Sequence, residues 1–287
     1  MGYPPIFAEA GFLSSWGSAN FYSTLLSRMA PNAGTIAIRS EPIDITPAGA
    51  AQRQFMPSLG THEFTVESEA FATPRLGNVG LVTFSAGGYT QHIRSYVLTI
   101  QAPAEDITEF TSASSGEQWR RFRPLESAWT ATIEAAADTS TALVNPHLIG
   151  TGGTIPSLPT VTFNFGTTAI QLEGSAFLSQ LDVRAGRGQQ TLVTYTAQGV
   201  GTLSGGTALT PSGTGNPFGS SAFGIPVWSE NGYLAGAYAG AYVFTTYSGR
   251  TITGQDSFWK SITLRVEVGQ PVAISVQAQG SGTLTMA

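Results

Sequence analysis

Glu63, Glu67 and Glu69 lie two and four positions apart in the stretch His62-Glu63-Phe64-Thr65-Val66-Glu67-Ser68-Glu69. In an extended strand they share one face with Thr65, while Phe64 and Val66 take the other. Such a row can be a solvated strand face or a carboxylate-lined wall, and paired carboxylates also serve glycoside hydrolysis. The motif Thr65-Val66-Glu67 recurs as Thr132-Ile133-Glu134, so Glu134 joins the set. A second cluster, Trp119-Arg120-Arg121-Phe122-Arg123-Pro124, combines cations with rings, the chemistry of a single-stranded nucleic-acid contact. Arg53-Gln54-Phe55-Met56-Pro57 holds the equivalent place in an upstream copy, so a structural role is the stronger reading. Arg120, Arg121 and Arg123 are therefore expected to meet a neighbouring subunit's carboxylates, because Arg suits interface ion pairs.

Other chemistries find no footing. A phosphate loop needs glycines before its lysine, and Lys260 follows Phe258-Trp259. His62, His92 and His147 lack the paired spacing of a metal site and read as ordinary polar or interface residues. Cysteine is absent, which excludes disulfides, thiol nucleophiles and zinc–cysteine sites. No nucleophile elbow accompanies a serine. We expect no enzyme, no cofactor and no metal.

Composition narrows the partners. The 287 residues carry 13 Lys+Arg and 18 Asp+Glu, a formal net charge of -5. Charged residues make up 11%, against about 25% in an ordinary soluble domain. Lys260 is the one lysine. A chain so poor in cations is ill suited to wrapping nucleic acid. Aromatics at 10% argue against disorder. A surface this low in charge fits a subunit buried against copies of itself better than a monomer held in solution by charge. The first residues lack a basic signal-peptide start, and the apolar stretch 233–244 is short of the about 20 residues of a membrane span. We expect a soluble, non-secreted protein.

The elements that must position these residues are strands. Residues 62–69 and 261–268 alternate with period two, and 96–100, 130–134 and 193–196 are rich in β-branched and aromatic residues. Residues 21–29 form a short helical candidate. Gly, Pro, Ser and Thr mark long loops at 145–160 and 204–221. The strongest pattern is a gapless repeat of 171–203 on 252–284. It pairs Phe177 with Phe258, Arg184 with Arg265, Gly188-Gln189 with Gly269-Gln270, and Ala197-Gln198-Gly199 with Ala278-Gln279-Gly280. Both copies read strand, Gly-Gln turn, strand, then A-Q-G-x-G-T-L. A weaker upstream repeat pairs Asp44-Ile45-Thr46 with Asp106-Ile107-Thr108. The order is first half, first half, second half, second half, which reads as one β module nested in another. The expected division is an N-terminal arm at 1–33 and the first half of an outer module at 34–87. An inner module at 88–203, a loop at 204–221 and the outer module's second half at 222–287 follow.

The inner module, from the strand at 93–101 through Glu105-Asp106-Ile107-Thr108, Trp119, Phe122-Arg123-Pro124 and Trp129–Glu134 to Ala197-Gln198-Gly199-Val200-Gly201-Thr202-Leu203, resembles the tail tube proteins of long-tailed bacteriophages. The likeness spans about residues 34–287 when both copies are counted. It rests on the order and duplication of the patterns, since each motif alone is unspecific. The resemblance implies a mostly β fold of two tandem or nested tail-tube-like β-sandwich (open barrel) modules with one or few short helices. It implies a virion structural protein of the tail, assembled in the host cytoplasm. Rings stack into a tube that carries DNA to the host without binding it specifically. Most single-module members form hexameric rings, so a duplicated chain implies a trimeric ring with pseudo-six-fold symmetry. Partners would be further copies and other tail proteins such as the tape measure, terminator and baseplate, with no membrane. Glu63, Glu67, Glu69 and Glu134 become candidates for the lumen lining. The loops 145–160 and 204–221, with the N-terminal arm, become candidates for ring-to-ring contact. Two alternatives remain: a hub, distal tail or terminator ring protein of the same fold, or a β-rich carbohydrate-binding or adhesin module.

Overall fold

The computed structural model describes residues 13–16, 30–69, 82–84, 89–90, 92–101, 103–108, 119–125, 128–137, 160–164, 171–205, 227–228, 234–235, 241–245 and 249–287. The expected mostly β, sandwich-like architecture is observed, and no α-helix occurs among the described residues. The helical candidate at 21–29 and almost all of both Gly-rich loops lie outside them. In chain order the strands are β1 (Leu13–Trp16), β2 (Ala30–Arg39), β3 (Pro42–Asp44), β4 (Phe55–Pro57), β5 (Thr61–Glu69), β6 (Val82–Phe84), β7 (Tyr89–Thr90), β8 (His92–Gln101), β9 (Ala104–Asp106) and β10 (Phe122–Pro124). They continue as β11 (Ala128–Ala136), β12 (Thr160–Asn164), β13 (Gln171–Arg184), β14 (Leu192–Gly205), β15 (Val227–Trp228), β16 (Leu234–Ala235), β17 (Tyr242–Thr245), β18 (Thr251–Glu267) and β19 (Ala273–Met286).

One antiparallel sheet runs β2-β5-β19-β18-β8-β11-β14-β13-β12-β6-β7, with β17 and β1 branching from the start of β18. Two quartets sit side by side in it: an outer one (β2, β5, β19, β18) and an inner one (β8, β11, β14, β13). Their registers coincide under the sequence repeat. Phe177 faces Gln198 as Phe258 faces Gln279, and both long hairpins carry a bulge at matching places, after Leu178 and after Trp259. Ile133 faces Tyr195 as Val66 faces Val276. Leu98 faces Ala131 as Ile36 faces Phe64. The Gly-Gln turns close alike, with Gln189 N donating to Gly186 O at 3.0 Å and Gln270 N to Glu267 O at 3.1 Å.

The period-two alternation decides what is buried. Phe64 and Val66 of β5, Ile262 and Leu264 of β18, Leu98 and Ile100 of β8, Ile133 of β11 and Val193 and Tyr195 of β14 enter one continuous apolar core. Trp129, Tyr96, Tyr195, Tyr242, Phe64, Phe84, Phe163 and Phe244 are its largest fully buried side chains. Burying a side chain such as Phe or Leu is worth about 1.5–3 kcal/mol. Trp129 and Phe163 meet edge to face at 5.9 Å, and the Tyr96 hydroxyl donates to Asn164 O at 2.5 Å.

Candidate functional site

Alternate residues that miss the core build a polar sheet face. Thr65, Thr99, Thr130, Thr132, Thr194 and Thr196 form much of it. Glu134 is half-buried on this face beside Ser95 and Thr194, and Glu67 is exposed beside Ser275. Glu63 shares the β5 face with Glu67, but Lys260 answers it, Nζ to Oε1 at 2.6 Å. Lys260 reaches across because it stands at the bulge after Trp259. Glu69 ends β5, and its side chain is outside the described set. Glu267 and Asp182 add carboxylates to the same row as Glu134, since Glu267 pairs with Ser95 and Asp182 with Thr194. Arg265, two residues before Glu267, faces the same way, so the face is mixed in sign with an excess of acids along this row.

The arginine cluster lies on a small hairpin, β9–β10. Arg120 reaches Asp106 (Nη1 to Oδ2, 3.4 Å) and Arg123 reaches Glu105 (Nε to Oε2, 2.5 Å), both within the hairpin. Arg121 pins the loop by its backbone, donating its N–H to Thr108 Oγ1 at 2.9 Å and accepting from Ile107 N at 2.9 Å. Burial pushes the Asp106 carboxyl up. The Thr108 hydroxyl and amide, with Arg120, outweigh it and hold the group below the usual carboxylate range. The β3–β4 hairpin repeats this construction. Asp44 accepts from Thr46 N at 2.9 Å and from its hydroxyl, Gln54 N donates to Thr46 Oγ1 at 2.8 Å, and Thr46 lowers the Asp44 pKa.

What the two hairpins touch differs. β9–β10 closes over the outer quartet: Phe122 N donates to Ser281 Oγ at 3.0 Å, Gly282 N to Arg120 O at 3.1 Å, and Arg120 N to Gly60 O at 2.9 Å. Trp119 stands edge-on to His62 at 5.3 Å. His62, an ordinary polar or interface residue by sequence, is buried at this junction. Its Nε2 pairs with Gly282 O at 3.0 Å and its Nδ1 with the Tyr242 hydroxyl at 2.6 Å. Both contacts suit the neutral ring with the proton on Nε2, and burial pushes its pKa down against the opposing pull of the Gly282 carbonyl. Gly280 makes room for the ring, because a Cβ there would lie 1.7 Å from His62 Nδ1. In the inner quartet Trp129 takes the place of His62, and Gly199 makes its slot, with a Cβ 2.1 Å from Trp129 Cε2. The first glycine of A-Q-G-x-G-T-L is thus a slot. The second, Gly201 or Gly282, sits at φ 75 or 78, where glycine is favoured.

Of the sheet edges open among the described residues, which include β1 and β7, two are related by the repeat. β2 ends the sheet. Residues 176–184 of β13 have β14 on one side and no strand on the other, because β12 pairs only with 171–175. The part of β18 that matches residues 180–184, Ser261–Arg265, is paired along its length with β8. Burial follows the pairing: Leu264 is 0% exposed and its counterpart Val183 is 51% exposed. The sequence reading did not single out these edge residues. The available signal was the mismatch within the repeat, where polar Ser281 stands opposite apolar Val200.

The described residues contain no group of acidic or histidine side chains placed to hold a metal, and no helix among them is long and apolar enough to cross a membrane. No protein-family model matches the chain, and no curated protein matches it. Among solved structures it is similar to a chain of the virion of a native gene transfer agent particle, at 14% identity and TM-score 0.35, over 44% of this chain and 94% of that one. It is similar also to a chain of the tail of an empty gene transfer agent particle refined with C6 symmetry, at 14% identity and TM-score 0.34, over the same shares. Overlaps this loose leave the assembly to be read from the chain's own strands.

Proposed function

We propose that this chain is a structural, non-catalytic subunit of a long-tailed phage tail, forming trimeric rings that stack into a hollow tube for DNA delivery. The observation that supports this reading most is the pair of unmatched edges. β13 relates to β2 as β18 relates to β8, and β18 and β8 already pair within the chain. Carrying that register across copies sets Gln180 opposite Arg39, Leu181 opposite Ile38, Asp182 opposite Ala37, Val183 opposite Ile36 and Arg184 opposite Thr35. Arg39 then lies diagonal to Asp182, within reach of a charge pair. Pairing β13 of one copy with β2 of the next is a heterologous contact, which closes into a ring and removes both edges. Three chains supply six quartets, the six-fold repeat of the resembled family.

In this assembly the polar face lines the lumen. Its Thr and Ser carpet offers few cations to phosphate, and Glu67, Glu134, Asp182 and Glu267 repel it within a Debye length of about 8–10 Å. The lumen reading is ours, drawn from the face's composition and its row of acids.

Electron microscopy of the purified protein at high concentration tests the function. Long hollow tubes are expected. Isolated rings only would transfer the chain to a hub or terminator role, and monomers would favour a binding module. Ring closure is read separately. The chain has no cysteine, so Ile36→Cys with Val183→Cys should give a covalent trimer on oxidation. Absence of intermolecular links would overturn the edge pairing.

A further inference from the structure

We propose that the β3–β4 hairpin is a clasp that docks on a second copy of this chain, over Phe177 and Val200 of its β13–β14 hairpin. The proposal rests on the ring reading and adds a second contact to it.

A set of matching observations carries it. The clasp and β9–β10 are the same object, with the same strand register, the same Asp-Thr turn and the same cross-hairpin bonds. β9–β10 has a seat within the chain, on Ser281 and Gly282 of β19. On β14 the short strand β15 comes near, yet Val200, at the matching place, stays exposed. The two seats differ in burial as a filled and an empty seat should: Ser281 is 8% and Phe258 0% exposed, whereas Val200 is 42% and Phe177 44% exposed. The clasp itself is apolar and uncovered, with Ile43, Ile45, Phe55 and Met56 all exposed and Phe55 at 54%. In the seated hairpin, Phe122 is half-buried at the position of Phe55.

Chain geometry delivers one to the other. β3 starts at Pro42 after β2 ends at Arg39, just as β9 starts at Ala104 after β8 ends at Gln101. If β2 pairs with β13 as β8 pairs with β18, the same short connector carries the clasp to Val200 as it carries β9–β10 to Ser281. The occupant is therefore a second copy. Phe55 and Val200 bring apolar surface where the in-chain seat uses the Phe122–Ser281 hydrogen bond. A contact between chains gains from burying area that would otherwise face water in both partners.

Disulfide trapping in the intact protein decides it. In the seated hairpin Phe122 N and Ser281 Oγ are 3.0 Å apart, so Phe55→Cys with Val200→Cys should oxidise to a covalent trimer on a non-reducing gel. Mixing the two single variants should give a dimer band, and either alone should give none. The Ile36→Cys/Val183→Cys pair runs in parallel. If that edge pair links and the Phe55/Val200 pair does not, the clasp is wrong and ring pairing stands. If neither links, both fail. Val200→Asp supplies a second reading. It should leave the melting of the free chain unchanged and raise the concentration needed for ring formation about tenfold or more, the scale of a buried interface anchor. An unchanged concentration dependence would overturn the clasp.

Discussion

The outer and inner quartets are built from nearly the same instructions, yet one is finished within the chain and the other is not. Both have the same hairpin register, the same bulge and the same glycine slot. β18 is covered by β8, and its seat by β9–β10, while β13 and its seat face outward. The difference therefore lies in neighbours and not in strand chemistry. The completed half is a template for the contacts that the incomplete half lacks, and it names the surfaces that would supply them, β2 and the β3–β4 hairpin.

The sharpest way to break the comparison is to cut the same residue from both copies. Phe258→Ala empties a fully buried site and should cost about 3–5 kcal/mol. Phe177→Ala removes a half-exposed ring and should cost the free chain less than about 1 kcal/mol. Urea denaturation of the two variants measures both. Equal losses would mean that the two hairpins are equally covered in solution. In assembled rings the Phe177 variant should lose stability that it keeps as a free chain.

A smaller effect tests what the two halves share. Gly280→Ala drives a Cβ into a His62 ring that two hydrogen bonds hold in place. It should cost about 3 kcal/mol, the upper part of the overpacking range. Gly199→Ala, against Trp129, should cost a similar amount. Adding His62→Ala to Gly280→Ala removes the clash, so the double variant should be more stable than the sum of the singles predicts, in the same denaturation experiment. Strict additivity would refute the slot.

The smallest effect is confined to the outer quartet. His62 is held neutral, its pKa depressed by burial. Its contribution is full above the unfolded value of about 6.5 and is lost as pH falls below that toward the folded pKa. Melting temperature should therefore drop on acidification through about pH 6, a range in which carboxylates of ordinary pKa are still ionised; Asp256, raised by burial, works in the opposite direction. His62→Gln should flatten that part of the profile. Trp129 holds the matching inner position and cannot titrate. A profile unchanged by the substitution would place the acid sensitivity elsewhere.

Much of the molecule was legible beforehand, for a physical reason. Side chains alternate across a strand, so the split of Glu63, Thr65 and Glu67 from Phe64 and Val66 follows from spacing alone. The gapless repeat likewise carries register, because a one-residue slip would send every core side chain to the wrong face. The lone Lys260 was visible too, but not its partner. It meets Glu63 only because β18 and β5 flank β19 and a bulge turns it across that strand. The arginines were expected to look outward for carboxylates, and Asp106 and Glu105 within their own hairpin take two of them.

By itself the amino-acid sequence determined a mostly β chain with two copies of one hairpin and one polar face, since these depend on local period and repetition. Tertiary structure alone decided which copy is covered. β8 pairs with β18 across a separation of more than half the chain, and no local pattern encodes a contact between such distant strands. That one pairing buries Leu264, leaves Val183 bare, and turns two equal hairpins into a core and an interface.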